Sequence, residues 1–285
     1  MNIYLNGEII PQSEAKISPF DHGYMYGLGL FETFRVYDGH PFLLDDHLNR
    51  LRAGLKVMNI QWDISRQEVM QIIDDLLRSN QLKNAYVRMN VSAGTGAIGL
   101  QTDPYTEPTV MFMMKQVPNN GYFPTKKALF LKTIRNTPES PERLKSHHYL
   151  NNIIAKREVG SNPNIEGIFL TDGGHIAEGI VSNIFWVKGD VIYTPHVQTG
   201  ILNGITRMLV IKIANRLGYT VKTGFYEKVE LLNADEAFIT NSIQEIVSLA
   251  SVEEHSENQN HQVVPKLMNE YGQYVHSLWS IDELT

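Results

Sequence analysis

Two apolar stripes at helical spacing, flanked by segments that alternate at a period of two, constrain this chain more than any other feature. Leu44, His47, Leu48, Leu51 and Leu55 follow the three-and-four spacing of one helix face, and Val69, Ile72, Ile73, Leu76 and Leu77 repeat it. Strand signals, meaning alternation with β-branched or aromatic residues, surround them at residues 2–5, 31–37, 86–93 and 109–114. Turns are expected at Asn6-Gly7 and Asp38-Gly39. The first 115 residues therefore read as α+β.

A polar stretch with Pro118, Asn119, Asn120, Gly121 and Pro124 breaks the pattern. It predicts a linker at 118–124 between a small α/β domain at 1–117 and a larger domain at 125–285. In the second part, short strands are expected at 128–133, 167–170, 184–187, 191–193 and 236–240, with turns at Asp172-Gly173-Gly174 and Lys188-Gly189-Asp190. Helices are expected at 149–159, 206–217 and 264–278, and a polar surface loop at 253–262. So many strands with so few helices predict a β-rich core.

Composition narrows the function. Twenty-five basic against 31 acidic residues leave a net charge of −6, with no positive excess to meet a phosphate backbone, so no nucleic-acid partner is expected. The absence of cysteine removes disulfides, thiolate metal sites and cysteine nucleophiles, and fits a reducing compartment. The N-terminus alternates like a strand where a signal peptide would be basic and then apolar, and no apolar run reaches the roughly 18 residues of a membrane span. The expectation is a cytoplasmic protein with no membrane or metal partner.

Several short motifs carry candidate chemistry. Gly94, Gly96 and Gly99 match the dinucleotide spacing, but Leu100-Gln101-Thr102-Asp103-Pro104 follows and cannot open the helix that a pyrophosphate needs, so a loop lining a site is the better reading. After Gly204, the N–H groups of Ile205 and Thr206 would sit free at a helix start and attract an anion, although an ordinary cap after a glycine turn looks the same. Arg50, one turn beyond His47, could grip a phosphate with two donors or simply be a solvated charge. Lys145, in Arg143-Leu144-Lys145-Ser146-His147-His148, could be an amine nucleophile held near other cations, or a loop lysine. The histidine pair lacks a carboxylate at metal-ligand spacing. Glu178 reads as a hairpin-edge glutamate or as the acceptor for a protonated ring nitrogen.

In this order Arg50, Lys145, Glu178, Gly204-Ile205-Thr206 and Thr240-Asn241-Ser242 resemble the class IV aminotransferases, the fold-type IV pyridoxal-phosphate enzymes, from the first strand to the last helix. The resemblance implies a homodimer whose protomer has a small α/β domain and a larger β-rich, barrel-like domain, with pyridoxal 5'-phosphate in the cleft between them. It implies that Lys145 carries the cofactor, that Arg50, the Ile205 and Thr206 amides and the Asn241-Ser242 turn hold its phosphate, that Glu178 faces the ring nitrogen and that Ser182 lies close by. Ala93 stands where D-amino-acid aminotransferases carry a carboxylate-binding arginine. Tyr26, Phe31 and Arg88 are similar to the branched-chain enzymes, which have glycine at Thr33. Thr33 with Arg88, and the passages around Asp21-His22-Gly23 and Lys145-Ser146-His147-His148-Tyr149, look most like the family's aminodeoxychorismate lyases.

That likeness implies conversion of 4-amino-4-deoxychorismate into 4-aminobenzoate and pyruvate, in the folate pathway. Lys145 would be the base and Thr33 would assist the leaving oxygen or relay a proton. Some lyases carry an arginine in the loop where this chain has Ile98; either Arg143, His147 or His148 would supply the missing cation, or the carboxylate is held differently. The alternatives are a D-amino-acid or branched-chain aminotransferase on the same scaffold and, more remotely, a non-catalytic carrier of the cofactor.

Overall fold

The computed structural model describes residues 1–117, 125–256 and 262–284, so the linker expected at 118–124 lies outside the described residues. The chain divides into two compact units: residues 1–119 with 145–148 and 275–285 form the first, and residues 120–144 with 149–274 the second.

The first unit runs β1 (Asn2–Leu5), β2 (Glu8–Pro11), α1 (His22–Tyr26), β3 (Gly29–Tyr37), β4 (His40–Pro41), α2 (Leu44–Val57), α3 (Arg66–Asn80), β5 (Ala85–Ser92) and β6 (Thr109–Gln116). Its six strands form one sheet in the order β2-β1-β6-β5-β3-β4. Asn6-Gly7 and Asp38-Gly39 take positive φ at both residues, the conformation that suits a two-residue hairpin. Every predicted member of the two apolar stripes is buried. Each apolar member contributes about 1.5–3 kcal/mol by leaving water. Helix α2 packs on β3 and α3 on β1, so these helices cover the sheet face carrying Leu30, Glu32, Phe34 and Val36.

The two helices start differently. A capping box opens α3, Ser65 accepting from the Glu68 N–H while Glu68 accepts from the Ser65 N–H. In α2 the N-cap is Leu43, in the left-handed region at φ 56° and without a side-chain acceptor. The C-terminal segment supplies what Leu43 lacks. The Leu43 and Asp45 N–H groups donate to the Leu278 and Trp279 carbonyls, and Asp46 accepts from the Ile281 N–H. This anchoring explains why the helix expected at 264–278 stops early and why 275–285 leaves the second unit.

The second unit comprises β7 (Lys126–Phe130), α4 (Leu150–Val159), β8 (Ile165–Leu170), β9 (Ile176–Gly179), β10 (Asn183–Lys188), β11 (Val191–Pro195), α5 (Ile205–Arg216), β12 (Thr220–Gly224), α6 (Lys228–Leu232), β13 (Glu236–Asn241), β14 (Glu245–Val252), β15 (His255–Ser256) and α7 (Val263–Gly272). Eight strands run in the order β12-β11-β10-β13-β14-β7-β8-β9, with β15 pairing to β14. The sheet curls until β9 lies against β10 and β11. One apolar cluster centres on Ile168, Ile184, Trp186, Ile239 and Leu249, and a second on Phe169, Ala155 and Ile201.

Two expectations change here. The polar stretch 253–262 begins as a hairpin, His255 and Ser256 pairing back onto Val252 and Ser251; residues 257–261 lie outside the described residues. Lys145, expected on the larger domain, groups with the first unit. Among the described residues no helix is long and apolar enough to cross a membrane.

Candidate active site

Strand β3 leaves the edge of its N-terminal half open, because β4 pairs only with Val36 and Tyr37. Residues 145–147 fill that edge. The Phe31 N–H donates to the Lys145 carbonyl at 2.9 Å and the His147 N–H to the Gly29 carbonyl at 3.0 Å, with Leu30 and Ser146 forming the bridge. Residues opposite each other in an antiparallel pair share a face, and Lys145 lies beside Phe31, its Nζ 4.7 Å from the ring centroid. The Arg88 guanidinium carbon stands 3.6 Å from the same centroid, and Thr33 faces Arg88 across β3 and β5. The His147 ring lies near-parallel to Phe31 at 6.3 Å.

The structure therefore gathers Lys145, Phe31, Thr33, Arg88 and His147, on the face opposite α2 and α3. Gly29 makes room for this, since a Cβ there would lie 2.4 Å from the His147 ring. Burial, reinforced by the Arg88 charge, pushes His147 down to about 4. That shift favours the neutral ring at neutral pH. Tyr26 sits apart at the end of α1, its hydroxyl accepting from the Gly99 N–H at 3.0 Å.

The glycines at 94–99 open no helix. A Cβ on Gly94 would come 2.0 Å from the Glu107 carbonyl oxygen and one on Gly96 2.5 Å from His22, so close packing demands glycine at both positions. His22, fully buried, meets the Tyr105 hydroxyl at 2.8 Å and the Ala97 carbonyl at 2.9 Å.

On the opposite face of β3, Glu32 holds Arg50 through two hydrogen bonds, at 2.8 Å from Nε and 2.7 Å from Nη2, and meets His47 Nδ1 at 2.7 Å. Burial alone would raise the Glu32 carboxyl; the charges and hydrogen bonds of Arg50 and His47 outweigh it and hold the group at about 2. Glu32 was not singled out from sequence, although a carboxylate inside the apolar run of β3 has to find a partner when buried. The Arg50 side chain stays one-fifth exposed, its guanidinium oriented by Glu32.

Because the Glu32 carboxyl is depressed, its stabilising contribution is complete above the ordinary carboxylate range and is lost as pH falls toward 2. Glu32→Gln is expected to cost roughly 3 kcal/mol at pH 7 in urea denaturation. The gap from the parent should close as pH drops from about 4.5 toward 2. An unchanged gap at pH 3 would exclude the ion pair as its source.

The remaining candidates belong to the second unit. Glu178, buried in β9, accepts from Arg135 Nε at 2.8 Å and from the Leu202 N–H at 3.0 Å, with Arg143 Nε at 3.8 Å. Arg143 donates to the Gly200 and Asn136 carbonyls, and burial together with the Arg135 charge pushes it down to about 10. Its donors are committed to these carbonyls beside Glu178. Arg135 is the partner that the sequence reading missed.

Gly204 is the N-cap of α5 and offers no side-chain acceptor to the amides of the first turn. A Cβ there would meet Asn183 Oδ1 at 2.1 Å, so glycine keeps this helix start open. Thr206 Oγ1 lies 3.3 Å from Ser242 Oγ, which places the α5 N-terminus beside the turn at 241–244. The Asn241 side-chain oxygen accepts from the Ile243 and Gln244 N–H groups and so shapes that turn. Ser182 donates to Glu166 at 2.8 Å. Thr240 Oγ1 is buried with no hydrogen-bond partner among the described residues. Open amides at a helix start, two neighbouring hydroxyls and an orphaned third are a donor set that fits a phosphate ester, and a carboxylate flanked by guanidinium groups fits a cationic ring N–H.

Residues 29–252 match the family model described as amino-transferase class IV. This chain belongs to the class IV aminotransferase family. It is 49% identical over 254 residues to the aminodeoxychorismate lyase of Bacillus subtilis, covering 88% of this chain and 87% of that protein. Among solved structures it superposes with a TM-score of 0.85 on the T.th. branched-chain amino acid aminotransferase complexed with N-(5'-phosphopyridoxyl)-L-glutamate, at 28% identity over 96% of this chain and 94% of that one. A 4-amino-4-deoxychorismate lyase described as putative, from Legionella pneumophila, gives a TM-score of 0.81 at 26% identity, covering 92% and 96%. The superposition shows that this chain shares the fold of these neighbours.

Proposed function

We propose that this class IV family member is a pyridoxal-phosphate-dependent lyase that converts 4-amino-4-deoxychorismate into 4-aminobenzoate and pyruvate. The observation that carries the reading is that the Lys145 amine and the Arg88 guanidinium both lie over the Phe31 ring, with Thr33 opposite Arg88 in the β3–β5 register. The likeness to the Bacillus subtilis lyase at 49% identity supports the same choice of substrate.

In this proposal Lys145 bonds the cofactor, Arg50, the α5 amides, Thr206 and Ser242 hold its phosphate, and Glu178 accepts from its ring N–H. The cofactor, when bound, supplies an electron sink that acidifies the proton on the substrate's amine-bearing carbon. Lys145, as a neutral amine, would take that proton, a positioned base being worth about 10²–10⁴-fold. The electron pair left by the proton forms the ring double bond, the neighbouring C–O bond breaks, and enolpyruvate departs with the bonding pair. Protonation of the enolpyruvate gives pyruvate. Arg88 would bind a substrate carboxylate, Phe31 would line the ring site, and Thr33 would donate to the leaving oxygen.

Homodimerisation and a cytoplasmic setting belong to the same proposal. Ile17, Phe20, Tyr24, Ile98 and Leu100 are apolar side chains exposed on the first unit, Leu100 at 93%, of the kind a second copy could cover. Ile17 and Tyr24 also line a cavity of about 380 Å³ with Asn90, Ser92, Met111 and His147.

The test mixes the cofactor-loaded protein with freshly generated aminodeoxychorismate. Equimolar 4-aminobenzoate and pyruvate, formed without an oxo-acid acceptor, are expected. If neither forms while D-alanine or a branched-chain amino acid converts the cofactor to its amine form, the transaminase reading replaces this one.

A further inference from the structure

A buried ion pair in the second unit has no part in the chemistry described above, yet it joins two of the turns on which that chemistry rests. Lys126 on β7 and Glu166 on β8 are 8% and 4% exposed, and Lys126 Nζ donates to Glu166 Oε2 at 3.3 Å. Taking both charges out of water is costly, and an apolar pair of similar volume would often be as stable or more so. What an apolar pair could not do is direct hydrogen bonds. On one side, Glu166 Oε1 accepts from the Ser182 hydroxyl at 2.8 Å and from the Ile180 N–H at 3.1 Å, pinning the turn that follows Glu178. Gly179 is part of this fit, because a Cβ there would lie 2.0 Å from Ser182 Oγ and 2.5 Å from Glu166 Oε1. On the other side, Lys126 Nζ donates to Gln244 Oε1 at 3.1 Å, and the same oxygen accepts from Asn241 Nδ2 at 3.3 Å.

We infer that Lys126 and Glu166 are positioning residues for the cofactor, a charged clasp that locks the turn at 179–182 to the turn at 241–244. This rests on the proposed reading that Glu178 and the 241–244 turn hold pyridoxal phosphate. Ser182 then acts through the clasp, its hydroxyl proton being committed to Glu166. The two arms differ in what they set. Glu166 governs the turn next to Glu178, whereas Lys126 reaches, through Gln244, the turn that would hold the phosphate.

The experiment titrates apo-protein with pyridoxal phosphate and, separately, with pyridoxal, following the cofactor's visible absorption. Lys126→Met is expected to raise the Kd for pyridoxal phosphate at least tenfold while leaving that for pyridoxal, which lacks the phosphate, within twofold. Gln244→Leu, which keeps the ion pair and breaks only its link to the turn, should likewise weaken pyridoxal phosphate at least tenfold and pyridoxal less than twofold, and decides the matter if Lys126→Met fails to fold. The inference is overturned if the folded variants keep the parent Kd for pyridoxal phosphate and lose only thermal stability, or if both ligands weaken equally. A parent protein that binds neither ligand would instead overturn the reading on which the clasp depends.

Discussion

Lys145→Ala is expected to abolish turnover, by at least about 10⁴-fold, and to remove the absorption of the lysine-bound cofactor. The argument is geometric. Lys145 is placed by main-chain hydrogen bonds to the edge of β3, so removing its side chain leaves the Phe31 N–H and the bridge at Leu30 and Ser146 intact. The alanine variant should therefore fold with stability within about 1 kcal/mol of the parent, and the lost activity can be assigned to the amine alone. The measurement pairs a product assay with a visible spectrum and a thermal melt. A variant that remained active and coloured would remove Lys145 from the mechanism, whereas a colourless variant with normal turnover would mean that the covalent link is dispensable.

Glu178→Gln is expected to slow kcat by on the order of 10²-fold, comparable to the loss of one preorganised electrostatic contact, while cofactor affinity falls less than tenfold. Glutamine retains the shape and can still accept from the Leu202 N–H, but it no longer balances Arg135, and both partners are buried. Some loss of stability is therefore expected as well. Turnover has to be expressed per bound cofactor for this reason. If affinity collapsed while the bound fraction turned over normally, the Glu178 carboxylate would be holding Arg135 and the 202 segment in place and tuning nothing.

The helices and hairpins of the first unit were legible because their signals are local. The stripes of α2 and α3 repeat at the helical period, and Asn6-Gly7 and Asp38-Gly39 carry residues that tolerate positive φ. The Ser65–Glu68 capping box was equally legible in principle, a serine followed three residues later by glutamate, and was passed over. Strands β9 and β12 escaped for other reasons. Ile176–Gly179 is buried at all four positions and so shows no alternation, while Thr220–Gly224 is mostly exposed and pairs in parallel with a strand far away in sequence.

The candidate chemistry divides along the same line. Arg50, Lys145 and Glu178 could be named from residue type and motif order, but what holds each of them could not. Glu32 lies 18 residues from Arg50, Arg135 43 residues from Glu178, and the β3 edge more than a hundred from Lys145. By itself the sequence determined the periodic elements, the turns and the residue types available for chemistry, since these follow from contacts within a few residues. Only the tertiary structure decided that residues 145–148 and 275–285 join the first unit, that His147 is neutral and that Arg143 serves main-chain carbonyls. Those outcomes depend on which strand edge is open, how deeply a charge is buried and which partner reaches it first, and none of these is a property of a short stretch of chain.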